Sequence, residues 1–164
     1  MPVQQEYNIN TRDAVEGQLY GLQQTRADIQ TGFAEDADGI GFGKAVQYGA
    51  GERSYKKGSA VAHIAGITIR QIDREAAKRP SDGTVVFRKG DTLPVCSDGR
   101  VVVKVTDAGQ AVHGAKVFVH EVNGTFAIAA SADHIEASNV VWGVKKTVAA
   151  GDLLHVVITN ADVA

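Results

Sequence analysis

The feature that most constrains this chain is a succession of short apolar runs, separated by turn-forming residues, from residue 40 to the end. The runs are rich in Val, Ile and Phe, and many alternate apolar with polar residues, which is the period of a half-buried strand. Residues 116–120 (KVFVH) are the clearest case, because Val117 and Val119 fall on one face. Strands are predicted at residues 43–48, 61–64, 67–72, 84–87, 93–96, 100–105, 116–120, 125–129, 140–144 and 153–159.

Three dipeptides separate predicted strands: Asp82–Gly83, Asp98–Gly99 and Asn123–Gly124. Asp, Asn and Gly tolerate the positive φ that two-residue hairpin turns require, and Asn123–Gly124 is the best hairpin signal. Many short strands with turns at this spacing predict a mostly all-β fold, a small β-sandwich or barrel. Residues 73–80 (DREAAKRP) differ, and we expect a charged surface loop there rather than a short helix ended by Pro80.

The N-terminal residues 1–38 are polar, and their apolar residues are isolated. Gly17 and Gly21 interrupt the one roughly helical spacing, at a cost of about 1 kcal/mol each relative to alanine. We therefore divide the chain into an extended N-terminal arm, residues 1–38, and a β-sandwich or barrel domain, residues 39–164. Such an arm needs an external surface to become ordered, and removal of residues 1–35 is expected to leave a folded β-domain. The expected anchors of the arm are Tyr7, Ile9, Val15, Leu19, Tyr20, Leu22, Ile29 and Phe33.

The composition allows one hydrophobic core in a single domain, with 164 residues of which 44% are hydrophobic. The formal net charge is −2, and no block of like charge is present, which disfavours binding to nucleic acid. The N-terminus lacks the pattern of a signal peptide, and the apolar runs are too short to cross a bilayer. We therefore expect a soluble protein that is made in a cytoplasm.

The chemistry-bearing residues predict no catalytic, metal or cofactor site. Cys96 is the only cysteine and lies in an apolar run, which indicates a buried, inert thiol. Ser131, Asp133 and His134 are too close in sequence to converge as a triad. The cluster Glu35, Asp36 and Asp38 lacks the spacing of a calcium loop, and the five histidines lack metal-ligand spacing. The segment around Gly43 and Lys44 fails the phosphate-loop pattern, and Trp142 is expected to anchor the core.

Several glycine-centred fragments occur in an order that is typical of one family. Residues 41–46 (GFGKAV) look like its first strand, and residues 66–70 (GITIR) like its next short strand. The most specific part is residues 89–95 (KGDTLPV) followed by residues 99–103 (GRVVV). In this order the chain resembles the structural cement, or head decoration, proteins of tailed phages. Further matching fragments are residues 16–20 (EGQLY), 114–119 (GAKVFV), 124–126 (GTF), Trp142 and 149–154 (AAGDLL).

The resemblance implies a non-enzymatic structural protein on the outer surface of the virion. Members of such a family form trimers or dimers on the expanded capsid, where they bridge neighbouring major capsid protein subunits. The implied partners are the major capsid protein and further copies of the chain, with no cofactor, nucleic acid or membrane, after synthesis in a bacterial cytoplasm.

Two other function classes stay open at this point. A phage tail, spike or glycan-binding β-module would require an exposed aromatic cluster, but aromatic residues make up only 6% of the chain. A small hydrolase would require a cleft in which Asp, His or Glu side chains converge.

Overall fold

The computed structural model describes residues 15–20, 27–75 and 84–160, and these residues form thirteen strands and one short 3-10 helix. The helix is Ile72–Glu75, at the start of the predicted charged loop. The strands are β1 (Asp28–Ala34), β2 (Ile40–Gly41), β3 (Ala45–Tyr48), β4 (Ser54–Lys57), β5 (Gly66–Thr68), β6 (Val86–Phe87), β7 (Thr92–Lys104), β8 (Gly109–Ala111), β9 (Lys116–His120), β10 (Phe126–Ala127), β11 (His134–Trp142), β12 (Lys146–Val148) and β13 (Leu153–Ile158).

The long strand β7 belongs to two rings of strands. Its first half pairs with both β1 and β5, so the order β1-β4-β3-β5-β7 closes on itself as a small barrel. Its second half continues into the order β7-β13-β11-β9-β10. A parallel bridge between Val105 and Phe126 connects the last of these strands back to the end of β7, and we call this second ring the second barrel. The prediction of a mostly β fold with a barrel core is confirmed.

The predicted turn at Asp98–Gly99 is wrong, because these residues lie inside β7. The register against β1 passes from Asp98 opposite Asp28 to Cys96 opposite Ile29, so Ser97 is an extra, bulged residue. Gly99 has a φ of +148°, which glycine adopts more easily than other residues. The two strands predicted at 93–96 and 100–105 are therefore one bent strand of 13 residues.

Strand β7 contributes to two hydrophobic cores. Before the bulge, Leu93 and Val95 face the smaller core, inside the first barrel. After it, Val101, Val103 and Val105 face the larger core. The smaller core also contains Ala34, Ile40, Phe42, Val46, Tyr55 and Phe87, and the larger one includes Ile64, Ile67, Val117, Val119, Phe126, Val140, Trp142, Val156 and Ile158.

The best-patterned strand and hairpin of the sequence are confirmed. Strand β9 has the predicted bounds, with Val117 and Val119 fully buried. It pairs with β10 across the turn that contains Asn123–Gly124, although the connection is five residues long rather than two. Gly124 has a φ of +64°, as a hairpin glycine should.

The strand predicted at residues 61–64 is wrong. Val61 is 57% exposed in a loop, and only Ile64 is buried. The buried Asn139 side chain accepts a hydrogen bond from Ile64 N at 3.1 Å and donates one to Ile64 O at 3.0 Å. A side-chain amide thus replaces the neighbouring strand that Ile64 would otherwise need.

Part of the predicted arm lies in the first barrel. Strand β1 pairs with β7 from Asp28 to Phe33, and Gly32 and Ala34 are buried. The division into residues 1–38 and 39–164 stays a prediction, but residues 28–34 supply a strand that closes the barrel.

We predict that Gly32→Ala destabilises the protein by about 2 kcal/mol, since overpacking of this kind costs 1–3 kcal/mol. An added Cβ would lie 2.3 Å from both Arg53 O and Tyr55 Cε2. Urea unfolding measures the change, and Gly41→Ala is the control, because among the described residues the nearest atom to its added Cβ would be Lys44 Cε at 3.6 Å. Equal stability of the two variants would contradict the tight packing of β1 against Tyr55.

Candidate functional site

The predicted arm anchors divide into two groups. Tyr7, Ile9 and Leu22 lie outside the described residues. Val15, Leu19 and Tyr20 lie in a segment at residues 15–20, which we call the inner arm, and Ile29 and Phe33 lie on β1.

The inner arm is held by backbone hydrogen bonds to the second half of β7. Gly17 N donates to Val102 O at 2.8 Å, Val102 N donates to Gln18 O at 2.8 Å, and Tyr20 N donates to Arg100 O at 2.9 Å. Gly17 has a φ of +79°, and an added Cβ would lie 2.9 Å from three surrounding atoms. Glycine is therefore required for the arm to approach this closely.

Side chains strengthen this contact. Glu16 forms an ion pair with Lys44, with 2.6 Å between Oε1 and Nζ, and both side chains are mostly shielded from solvent. Leu19 packs against the larger core, so its side chain already has a partner within the chain. The expectation that this part of the arm needs an external surface is wrong for residues 15–20, because the chain's own sheet provides that surface.

Tyr20 and His155 form a stacked pair at the end of the inner arm. Their ring centroids are 3.8 Å apart and the rings are nearly parallel, at 5°. Tyr20 remains 44% exposed. Burial, and then the positive charge of Arg100, lower the pKa of His155 below its ordinary value.

The outer side of β1 carries an exposed apolar strip, which consists of Ile29, Thr31 and Phe33. Ile29 is 46% exposed and Phe33 is 48% exposed, although both are apolar. Pro94 lies beside Thr31 on the neighbouring strand. The Arg53 guanidinium donates to Thr31 O at 3.0 Å, and Phe33 N donates to Arg53 O at 2.9 Å. The strip therefore lies on a strand whose backbone is held by hydrogen bonds within the chain itself.

The histidine and serine residues of the second barrel form a small polar cluster. The Ser131 hydroxyl is hydrogen-bonded to His134 Nδ1, which joins two of the three neighbouring residues. The other ring nitrogen of His134 is buried and has no hydrogen-bond partner among the described residues. The His134 ring packs edge-on against the His120 ring, with 5.0 Å between the ring centroids. Asp133 accepts a hydrogen bond from Glu121 N through its backbone carbonyl and has an exposed side chain.

Two residues of the acidic cluster, Glu35 and Asp36, accept hydrogen bonds from neighbouring segments of the chain. Glu35 accepts hydrogen bonds from the Ser54 hydroxyl and from Ala50 N, both at 2.8 Å, and these bonds lower the pKa of its carboxyl. Asp36 accepts a hydrogen bond from Lys57 N at 2.5 Å. Among the described residues, no group of three or more His, Cys, Asp and Glu side chains is arranged to hold a metal ion.

Two predictions about buried residues are confirmed. Cys96 is fully buried, and burial raises the pKa of its thiol to about 11, so the reactive thiolate is disfavoured. Trp142 is 1% exposed and belongs to the larger core. No helix within the described part of the chain is long and apolar enough to span a bilayer.

Comparisons with known proteins agree with this architecture. The family model described as structural cement protein (E217 gp24/Pam3 gp6) matches residues 3–159. A solved structure described as the capsid of Myoviridae phage XM1 is similar with a TM-score of 0.68, at 17% sequence identity, over 97% of this chain and 98% of that chain. No curated protein matches. The structural likeness establishes the fold, while the family match covers nearly the whole sequence.

We predict that acidification weakens the fold through His155. Because its pKa is lower in the folded protein than in the unfolded chain, the unfolded state binds more protons, and stability rises with pH. The contribution is complete well above about pH 6.5, the ordinary pKa of histidine, and is lost as the pH falls towards the lowered pKa.

Urea unfolding between pH 8 and pH 5 tests this origin. His155→Phe keeps a ring against Tyr20 and should reduce the pH dependence, whereas His63→Gln, which removes an exposed histidine that does not contribute to the lowered pKa of His155, should leave most of it. An unchanged pH profile in His155→Phe would contradict the assignment.

Proposed function

This chain belongs to the phage structural cement protein family, and from that premise we propose that it binds the outer surface of the expanded phage head and bridges neighbouring major capsid protein subunits. A capsid-associated structural role follows from the family, and a non-enzymatic role agrees with it. The position on the outer surface and the bridging are our proposal.

The observation that carries the proposal is the exposed apolar strip on β1. Apolar side chains that are half exposed on a rigid strand are costly to leave in water and gain free energy when a partner covers them. Ile29 and Phe33 are held in place by pairing with β7 and β4, so their docking requires little ordering of backbone. The strip is thus prepared for contact with a neighbouring capsid subunit.

The remaining arm anchors extend the proposed contact. Tyr20 is exposed at the end of the inner arm and can contribute an aromatic side chain to an interface. Tyr7, Ile9 and Leu22 stay proposed anchors. Val15 is half-buried and Leu19 packs on the larger core, so we assign both to holding the inner arm.

We also propose that the protein attaches as a homo-oligomer, a trimer or alternatively a dimer. One subunit offers a small exposed strip, whereas linked subunits convert later binding steps into intramolecular ones. Direct contact with nucleic acid and with a membrane is not part of the proposed role.

The decisive measurement is co-sedimentation of the purified protein with expanded heads that lack it, followed by heating. We expect saturable binding that raises the temperature at which the heads rupture. Heads that do not bind the protein would overturn the proposal and favour the tail, spike or glycan-binding alternative.

We predict that Ile29→Ser combined with Phe33→Ser weakens head binding by roughly 2 kcal/mol per subunit, because two half-exposed apolar side chains no longer become buried. The double variant Val112→Ser and Val122→Ser is the control, since these side chains are 46% and 67% exposed elsewhere. Substitutions suit the test better than removal of residues 1–35, which would also remove β1 from the barrel. Equal binding by both double variants would refute the role of the strip.

A further inference from the structure

We propose that the outer face of the sheet β7-β13-β11 docks onto an acidic protein surface. This inference rests on the proposed function, since it assigns that surface to the capsid shell. It adds the chemical character of the partner and the face of this chain that meets it.

The outer face of the sheet is defined by β13, in which buried side chains alternate with half-buried ones. Leu154, Val156 and Ile158 point into the larger core, which leaves Leu153, His155 and Val157 on the outside. Side chains opposite one another in an antiparallel pair share a face and lie about 5 Å apart.

The register then defines rows of side chains across this face. Val157 lies beside Arg100 of β7 on one side and beside Val141 of β11 on the other, and Lys116 of β9 follows Val141. In the direction of β7, the next positions on this side of the strand are Val102, which is buried, and Lys104, which is exposed. We call the following set the basic face: Arg100, Lys104, Lys116, Val141, Leu153 and Val157. His155 lies among these residues, and the stacked Tyr20 ring covers it.

The charges on the basic face have one sign. Arg100 and Lys104 are exposed, and neither makes an ion pair with a carboxylate within residues 15–20, 27–75 and 84–160. Asp152, at the rim, accepts a hydrogen bond from Ala149 N at 3.1 Å, and Glu136 lies further along β11, beside Phe118. The whole chain has a net charge of −2, so this concentration of positive charge is local.

The centre of the basic face favours a protein partner. Leu153, Val141 and Val157 are half-buried apolar side chains between the charges. An apolar centre with a polar rim is typical of protein–protein interfaces, whereas nucleic acid contacts are dominated by phosphate and by stacking on aromatic rings. A second copy that met this face with its own basic face would bring like charges together, so the complementary surface is acidic.

The test compares two charge reversals that change the net charge equally. Arg100→Glu with Lys104→Glu acts on the basic face, and Arg88→Glu with Lys89→Glu acts on the exposed turn before β7. Each reversal removes one positive and adds one negative charge, so both double variants change the formal charge from −2 to −6. Trp142 fluorescence and thermal unfolding check the folded state, and Arg100→Gln with Lys104→Gln replaces the first variant if it does not fold.

Binding of each variant to expanded heads that lack the protein is measured over a range of salt concentrations. We expect the basic-face variant to bind about tenfold or more weakly and with a smaller salt dependence, and the turn variant to bind like the wild type. Equal weakening of both variants, or normal binding of the basic-face variant, would overturn the inference while leaving the cement role intact.

Two further outcomes separate the remaining partners. Retention of the wild type on double-stranded DNA, lost in the basic-face variant while its head binding is normal, would assign the face to nucleic acid and overturn the inference. Failure of the wild type itself to bind heads would overturn the proposed function, and the assignment of the capsid as partner with it.

Discussion

The structure depends on one strand that is hydrogen-bonded along both edges within each of its halves. The first half of β7 is paired with β1 and β5, and the second half is paired with β13 and with the inner arm. The strand supplies apolar residues to two cores, and the bulge at Ser97 changes which alternate side chains face the larger one, from Cys96 before it to Val101 and Val103 after it. Because both barrels share this strand, neither can shift its register without disturbing the other.

This arrangement changes the energetics of the N-terminal region. An arm that became ordered only on a partner would lose backbone conformational entropy at about 1–2 kcal/mol per residue during binding. The described parts of the arm are already ordered in the folded chain by hydrogen bonds to β7 and by the ion pair between Glu16 and Lys44. Their conformational entropy is therefore lost during folding and not during binding. The side chains that remain exposed, Tyr20, Ile29 and Phe33, are therefore presented from a fixed backbone.

The sequence predicted those features that depend on local pattern. The alternation in β9 and the glycine at position 124 were sufficient for that strand and hairpin, and the apolar surroundings of Cys96 and Trp142 predicted their burial. Asp98–Gly99 was misleading because the same dipeptide suits a turn or a bulge, and only pairing with distant β1 decides between them. Strand β1 was missed because its buried positions are the small residues Gly32 and Ala34, whereas its larger apolar residues, Ile29 and Phe33, are exposed. The contacts of the inner arm likewise depend on residues that are distant in sequence, such as Lys44 beside Glu16 and Val102 beside Gly17.

In the proposed function, the free energy gained by burying the strip is smaller than the free energy that association costs. Burial of a whole Ile or Phe side chain contributes roughly 1.5–3 kcal/mol, and Ile29 and Phe33 are each about half exposed, so the strip offers about 1.5–3 kcal/mol. Association of two molecules costs on the order of 4–15 kcal/mol in lost rigid-body freedom. In the proposed function, the strip alone therefore could not hold one subunit on a capsid. The proposal requires the basic face, the remaining arm residues and linked copies to act together, and a capsid with repeated sites would allow that addition.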